Sequence, residues 1–417
     1  MAINRHVARL RAEGVPTMFI ELEARYPGVP DSENAGKLVL KAAEGFRDST
    51  GPKPELDFAK RPGRSNILTA AILAADRAYL AANTNTLTAI HAALVHTNSR
   101  YPVDLKAGYS ALMPHLPLLK GHVQRLGICA EMAAESGESH LAVQCLMDQL
   151  RLARTLRQEP EIISFLVKNA CENFATTTAE RVFHHLPLNS AELSEIQTAF
   201  GEEAAAQTYE LAVVGELCVG LDAINQSSRN FLRLLAMIDD AATQTGKVNV
   251  GAWLCHVTGL KKRDTRVMLN FYDQSIKIAR MTPAKRRIEA ERLNQDLKQE
   301  LAARYLPIAR MLLPGLTKID ARATRQYAVM RCAEVACAVE RWRLDHAGAL
   351  PASLDVLVPQ YLTAVLEDPM DGKTLKFRPR PGGFVVYSIG EDGTDDGGTE
   401  PRPGGMAHSD YTFVVER

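Results

Sequence analysis

The clearest structural signal in this chain is the stretch Glu138–Gln158, ESHLAVQCLMDQLRLARTLRQ. Its apolar positions follow one face of a helix, and they are Ala142, Leu146, Leu150 and Ala153. A helix of similar length is predicted before it, over Leu116–Glu135, and another after it, over Glu161–Phe183. Gly137 and Pro160 separate the three, and such short turns make successive helices antiparallel neighbours. The sequence therefore predicts a stacked helical array that resembles helical repeats but has no strict period.

Composition limits what the chain can be. Its 417 residues include 49 Lys and Arg against 49 Asp and Glu, so the formal net charge is zero. Nucleic-acid-binding proteins typically carry a basic surplus, and we therefore expect no nucleic-acid partner. Hydrophobic residues make up 46% of the chain but aromatic residues only 6%, which favours packed helices over a β sandwich. No run of about 18 apolar residues occurs, so we expect no membrane-spanning segment in this sequence.

A shift in composition marks the end of the helical array. Residues 351–417 hold 9 of the 27 Gly and 7 of the 21 Pro. A long helix is predicted just before them, over 320–346. The strands predicted after it are Thr374–Arg378, Phe384–Ser388 and Tyr411–Val415. We therefore predict a mainly α fold with two regions: an α-helical array over 1–318, and a small α+β module with a three-stranded antiparallel sheet over 319–417.

Three local features of the array are also predicted. Ser65 or Asn66 is expected to cap a helix, and Asn83–Thr86 offers caps for the next one. Residues 49–64 are rich in Pro and Gly and carry several basic side chains. That composition predicts an exposed loop.

The seven cysteines give a mixed signal about the compartment. They are Cys129, Cys145, Cys171, Cys218, Cys255, Cys332 and Cys337. An odd number cannot pair completely within one chain, and no CxxC pair occurs. Most lie among Ala, Leu and Val in predicted helices, where a free thiol packs like a small apolar side chain. We therefore expect buried free thiols rather than disulfides, which by itself points to a reducing compartment.

Sequence motifs of the common enzyme classes are missing. The chain has no GxSxG, no HExxH, no P-loop and no GxGxxG after a predicted strand. Its 11 His are scattered, and none has a partner constellation in sequence. We therefore assign no catalytic residue and no organic cofactor.

An acidic, Gly-rich loop over residues 389–410 is the one concentrated chemical signal. Its acidic residues are Glu391, Asp392, Asp395, Asp396, Glu400 and Asp410, against the single base Arg402. Calcium takes about six to eight oxygen ligands, which Asp side chains and turned backbone carbonyls supply. The order of residues is not that of an EF-hand. Composition alone favours a solvated acidic turn, with a cation site as the alternative.

The run from Tyr327 to Phe413 resembles the C-terminal globular part of the major pseudopilin of type II secretion, a type IV pilin-like family. The matching segments after the long helix are Leu350–Leu354 (LPASL), Asp368-Pro369, Asp371–Phe377 (DGKTLKF), Phe384–Gly390 (FVVYSIG) and Asp392-Gly393. The resemblance implies a structural Ca²⁺ in the acidic loop. The ligands that it implies are Asp392, Asp395 or Asp396, Asp410 and a backbone carbonyl near Ile389. Pseudopilins polymerise through an apolar N-terminal helix, which this chain replaces with polar helices, so we expect no pilus assembly.

The whole chain is similar to large envelope proteins of planctomycete and verrucomicrobial bacteria, which pair a helical region with a pseudopilin-like tail. The segments that carry this similarity near the start are Leu10–Pro16 (LRAEGVP) and Val29–Ala35 (VPDSENA). Members of that class typically begin with a transmembrane anchor, and this chain starts where such an anchor would end. The similarity implies an extracytoplasmic, periplasmic protein that is anchored to the inner membrane in its native form. The unpaired cysteines keep a cytoplasmic location open as the alternative.

Two classes of function remain open. The favoured one is a non-enzymatic, envelope-associated binding or scaffold protein that holds a protein or peptide partner on its helical region. The alternative is a hydrolase-type enzyme with its site in a cleft of that region. Two or three His, Asp or Glu converging in one deep pocket would favour the enzyme. A broad concave surface lined by Leu, Tyr and Arg would favour binding.

Overall fold

The computed structural model describes residues 2–47, 53–206, 208–225, 260–313, 315–400 and 410–416. Its α-helices are α1 Ala2–Ala12, α2 Phe19–Glu23, α3 Ala35–Ala43, α4 Ala70–Ala93, α5 His115–Glu135, α6 Ser139–Arg154, α7 Ile162–His185, α8 Ser190–Ala205, α9 Tyr209–Asn225, α10 Leu260–Ala279, α11 Pro283–Ala303, α12 Pro307–Leu312 and α13 Ile319–Asp345. Its strands are β1 Lys376–Arg380, β2 Gly383–Ser388 and β3 Tyr411–Glu416. The predicted fold class, mainly α with a C-terminal three-stranded antiparallel sheet, is confirmed. Cys255 and Arg402 lie outside the described residues.

The three helices that the sequence marks most clearly form as predicted. Helices α5, α6 and α7 begin and end within about one turn of the expected positions, and they pack on one another. Gly137 turns the chain between the first two with a φ of +77°. That conformation favours glycine, because a side chain with a Cβ atom is strained there. Leu146 and Leu150 are fully buried, as the apolar stripe on α6 predicts.

Helix α4 differs from the prediction at both marked positions. Thr69 caps it, rather than the Ser65-Asn66 pair, since the Thr69 hydroxyl accepts an amide hydrogen bond from the first turn. The helix then continues through Asn83–Thr86, where the sequence predicted new caps. The Asn83 side chain is buried and bonds both the amide and the carbonyl of Arg47. A tertiary contact therefore uses the side chain that local chemistry assigns to a helix end.

The sheet has the order β1-β2-β3, and both neighbouring pairs are antiparallel. Strand β1 extends to Arg380, so the turn to β2 is only two residues long and shorter than the Pro/Gly-rich sequence predicts. Gly383 begins β2 opposite Glu416 of β3. A Cβ atom at Gly383 would clash with the Val415 carbonyl oxygen, so the close approach of these strands requires glycine.

Helix α13 joins the helical array to the sheet. Most side chains between Ala328 and Val339 are buried, because α7 and α8 cover one side of the helix and the sheet covers the other. One hydrophobic core therefore contains residues of α5 to α8, of α13 and of the sheet. In that core Phe183 of α7 meets Phe413 of β3 edge to face, with ring centroids 5.7 Å apart. A second core contains residues of α1 to α7, of α9 to α12 and of the start of α13. The first core crosses the boundary proposed at residue 318.

Two further expectations concern the compartment. The six cysteines within the described ranges are all buried, as the sequence predicts, and none forms a disulfide. In the same ranges we find no helix with the length and apolar character needed to cross a bilayer.

Candidate functional site

The acidic loop is shaped by its own backbone. The carboxylate of Asp392 accepts a hydrogen bond from the Thr394 amide, and that of Asp395 accepts one from the Gly397 amide, each at 3.0 Å. In such turns an Asp side chain satisfies a backbone N–H group two residues later. Lys376 of β1 lies 3.3 Å from Asp395. The described part of the loop is therefore held by short-range bonds and by ion pairs, since Glu400 also pairs with Arg64 and Arg380.

Asp410 is the buried centre of this loop, with an exposed fraction of only 1%. Its carboxylate accepts hydrogen bonds from the amides of Asp396 and Gly398, at 3.4 and 2.7 Å. Burial raises the pKa of Asp410, and these two amide donors offset part of that rise. Asp410 therefore fastens the loop to the start of β3.

Asp368, to which sequence reasoning gave no role, anchors the other end of the loop. It is buried, and its carboxylate accepts bonds from the Met370 amide, the Ser388 hydroxyl and the Ile389 amide, at 2.9, 2.8 and 3.0 Å. Ile389, expected to offer a carbonyl to calcium, is thus placed through its amide. Asp368, one of the residues quoted for the pseudopilin resemblance, therefore has a structural role in this chain.

The predicted calcium ligands do not converge on one point in the described part of the loop. Among the described residues no group of three or more His, Cys, Asp or Glu side chains is placed to hold a metal ion. Asp392, Asp395 and Asp410 bond to backbone amides instead. Residues 401–409, which complete the loop, lie outside the described ranges. The calcium site therefore stays a prediction.

A cavity of about 260 Å³ lies where the helical array meets α13. Its walls are α7, the junction of α8 and α9, the first turn of α11, and α13. Pockets for drug-sized ligands measure roughly 300–1,000 Å³, so this cavity suits a small polar molecule or a single group of a larger partner. Polar or charged residues in its wall include Lys168, Asn169, Glu172, Glu203, Gln326 and Arg331.

Three buried charges form one side of this cavity. Lys168 of α7 contacts Glu172 one turn later on the same helix, and it lies 3.7 Å from Glu203 near the end of α8. Each of the three is at most 3% exposed. Arg154 and Arg157 also contact Glu203, at 2.7 and 2.9 Å. Glu203 therefore shares three cations, whereas the direct ion pair of Glu172 is with Lys168.

This difference moves the pKa values of the two glutamates apart. Burial raises the pKa of Glu172, and Lys168 offsets only part of that rise. Burial acts on Glu203 as well, but the three cations outweigh it and lower the pKa of Glu203. The pair therefore combines a carboxyl group that holds its proton more tightly with one that stays ionised.

The cavity wall also carries polar groups without a partner. The side-chain amide nitrogens of Asn169 and Gln326 and the Nε atom of Arg331 are buried, and none has a hydrogen-bond partner among the described residues. Gln326 is only 8% exposed. On the acceptor side, Glu203 Oε2 also lacks a hydrogen bond, although Lys168 lies near it. The Nε atom of Arg286, 3.4 Å from Asp320, is a fourth donor without a hydrogen bond. Four unpaired donors against one acceptor make this wall complementary to a group that carries oxygen acceptors.

A second buried charge network, within the array, is closed, which here means that none of its buried side-chain N and O atoms lacks a partner. Arg61 lies 2.8 Å from Asp76 of α4 and 2.7 Å from Glu131 of α5, and Arg181 of α7 lies 3.3 Å from Glu131. Burial raises the pKa of Glu131, and the two arginines offset part of that rise. The prediction that residues 49–64 form an exposed loop is wrong at Arg61, which is 6% exposed. Its charge is buried because two carboxylates on neighbouring helices neutralise it.

Ser164, His115 and Glu159 also meet in the array, but not in the geometry of a catalytic triad. The Ser164 hydroxyl donates to Glu159, and His115 Nε2 lies 3.0 Å from the same carboxylate. In a triad the histidine stands between the other two residues. The Tyr26 hydroxyl donates to Glu159 as well, at 3.3 Å. All four side chains are buried, so this cluster is a structural polar network.

Sequence reasoning did not find the cavity. Lys168, Glu203 and Gln326 lie on three helices that are far apart along the chain, and no local pattern joins them. The available signal was the i, i+4 pair Lys168–Glu172 within an otherwise apolar helix face. Sequence reasoning favoured a partner-binding helical region, with a hydrolase site in a cleft as the alternative, and named residues for neither.

Comparison with known proteins adds no precedent for this site. No protein family, curated protein or solved structure matches the chain. The function proposed next is therefore argued from the geometry of the cavity.

Proposed function

We propose that this protein is a non-enzymatic binding protein, whose cavity between α7 and α13 holds a carboxylate-bearing group of a peptide or protein partner. The observation that carries the proposal is the set of unpaired donors on Asn169, Gln326 and Arg331. An ionised carboxylate has two acceptor oxygens, and proteins capture peptide C-termini with convergent N–H donors. The cavity volume of about 260 Å³ fits one chain terminus or one acidic side chain.

The cellular location of this function follows the resemblance of residues 327–413 to pseudopilins. We propose an extracytoplasmic, envelope-associated protein, with the cytoplasm as the alternative compartment. The zero net charge supports a peptide or protein partner over a nucleic acid. The partner would bind at the cavity between the helical array and α13.

The test compares tripeptide pools that differ in one group. A pool with free C-terminal carboxylates is titrated against the full chain by calorimetry, beside the same pool with amidated C-termini. We expect binding of the free acids alone. Gln326→Leu removes one donor at similar volume and should weaken binding by more than tenfold, since a hydrogen bond to a charged group contributes about 1.5–3 kcal/mol. Gln295→Leu, on the exposed face of α11, is the matched control and should bind normally.

The same variant separates a ligand site from a packing defect. Removing the buried, unpaired Gln326 amide should stabilise the free protein by about 1 kcal/mol, because its desolvation cost disappears. Loss of binding together with a gain in stability supports the proposal. Equal binding of acid and amide pools, or full affinity in Gln326→Leu, contradicts it.

A second candidate, a hydrolase-type enzyme using the same cavity, is favoured by Glu172 and Glu203. Their pKa values move in opposite directions, which is the arrangement that pairs a general acid with a general base. In this case Glu172 would donate a proton while ionised Glu203 activates water. Turnover of an ester, peptide or glycoside substrate that is lost in Glu172→Gln would favour the enzyme over the binding protein.

A further inference from the structure

Cys129 of α5 and Cys145 of α6 face each other across the turn at Gly137. One lies eight positions before that glycine and the other eight positions after it, so the antiparallel helices bring them to the same level. The Cys145 thiol donates to the Cys129 sulfur, and the two Sγ atoms are 2.6 Å apart. No backbone rearrangement is needed to bring these sulfur atoms into contact.

The pair borders a cavity. Both cysteines line a cavity of about 340 Å³ between α4, α5 and α6. Each is 5% exposed, whereas Cys332 and Cys337 on α13 are fully buried under the sheet and the array. The same cavity is lined by His91 and Asp148, which are joined at 2.8 Å, so its wall is partly polar.

We propose that Cys129 and Cys145 are a redox pair that closes into a disulfide between α5 and α6 when the protein meets a small-molecule disulfide oxidant such as oxidised glutathione. In this contact Cys145 is the donor and Cys129 the acceptor, so Cys129 is taken as the attacking sulfur. The hydrogen bond to Cys129, with burial, raises the pKa of Cys145, in keeping with this order.

The chemistry balances as thiol–disulfide exchange. The Cys129 thiolate attacks one sulfur of the oxidant, the oxidant S–S bond breaks, and one glutathione thiol leaves. Cys145 then attacks the sulfur of Cys129 in the mixed disulfide, which forms the protein disulfide and releases the second glutathione thiol. Two electrons pass to the oxidant, and the two cysteine protons end on the released thiols.

The test uses mass spectrometry on the full chain. Reduced protein is incubated with a glutathione redox buffer, denatured, alkylated and digested with trypsin. The tryptic peptide Leu126–Arg151 contains both cysteines and no internal Lys or Arg. A disulfide therefore gives an unalkylated peptide two hydrogens lighter than the dithiol. A protease specific for glutamate then cuts the peptide after Glu131, Glu135 and Glu138, and leaves the two cysteine-containing fragments joined by the S–S bond.

The controls are two alanine variants. Cys145→Ala should leave Cys129 alkylated or bearing glutathione, and should remove any difference in melting temperature between oxidised and reduced protein. Cys171→Ala, a buried cysteine on α7, should close the Cys129–Cys145 bond as the natural chain does. We expect most of the peptide to be closed and then reopened by dithiothreitol. Full alkylation of both cysteines, a stable glutathione adduct without closure, or a link to another cysteine overturns the proposal.

Discussion

The two buried charge networks use the same residue types in different ways. In the closed network, Arg61 and Arg181 bring their guanidinium groups to Glu131, and Asp76 completes the set. None of the buried side-chain N and O atoms of these four described residues lacks a partner. In the open network, built on Lys168, the charges line a cavity whose wall still has unpaired donors.

The difference separates a structural use of buried charge from a binding use. A buried network that is fully paired holds its elements in one arrangement, and it has no remaining capacity for a ligand. A network with unmatched donors beside empty volume is less favourable in the free protein, and a ligand removes that penalty. The following experiments test whether this distinction holds.

The largest effect is expected in the closed network. Glu131→Gln leaves Arg61 and Arg181 with one buried carboxylate fewer, and should destabilise the full chain by about 3–5 kcal/mol. The matched change Glu172→Gln should destabilise the chain less. Burial already raises the pKa of Glu172, so the site tolerates a neutral side chain at this position better. Urea unfolding of both variants at pH 7 measures the difference. Equal losses of stability would contradict the distinction between a structural network and a binding network.

Adding Ca²⁺ tests whether the acidic loop is already fully paired, like the network around Glu131, or still has capacity for a ligand. The predicted ion would relieve repulsion between neighbouring carboxylates and bind only the folded state. A ligand at a hundredfold excess over its Kd stabilises by about 2.7 kcal/mol. We therefore predict that millimolar Ca²⁺ raises the melting temperature of the full chain relative to chelator, and that Asp392→Ala removes most of the rise. Asp31→Ala, in an exposed ion pair far along the chain, is the control.

Equal melting temperatures in chelator and in Ca²⁺ would contradict the calcium prediction. The loop would then be a closed structure, held by its backbone amides and by Lys376, as the described bonds already allow.

Glu161, at the start of α7, offers the smallest but sharpest test. Burial, followed by the nearby Glu216 and Glu159, raises the pKa of Glu161 to about 8, and its Oε1 atom has no hydrogen-bond partner among the described residues. The folded state therefore keeps a proton that the unfolded state loses above pH 4.5, so stability is greatest at low pH and falls as pH rises towards 8. Between pH 7 and 8 we expect a loss of about 1 kcal/mol.

The variant Glu161→Gln should flatten that pH profile, since its amide does not titrate. Glu216, whose pKa burial raises to about 7, acts in the same direction and should leave a smaller slope. Urea unfolding at pH 6, 7 and 8 provides the measurement. A natural chain whose stability is constant over this range would show that Glu161 is ionised in the folded state.

The fold was predictable to the extent that helix periodicity and turn residues act locally. The α5–α6–α7 run follows from apolar spacing and from Gly137, and the three strands follow from β-rich segments near the C-terminus. The buried side chains Arg61 and Asn83 were not predictable, because the partners of Arg61 lie on α4 and α5 and the partner of Asn83 is Arg47, in the loop after α3. The binding cavity was not predictable for a similar reason, because α7, α8 and α13 converge only in the folded chain. The Cys129–Cys145 contact was not predicted, because the cysteine spacing showed no framework and free thiols were expected.

The shared core has a consequence for how a cell makes this protein. The Val414 amide donates to the Glu180 carboxylate at 2.8 Å, although 234 positions separate the two residues. The apolar faces of α7 and α8 therefore leave the ribosome long before the strand that covers them has been translated. Contacts of such long range form late, and uncovered apolar helix faces are prone to aggregate. We therefore expect a nascent chain of this protein to need chaperones until β3 has emerged.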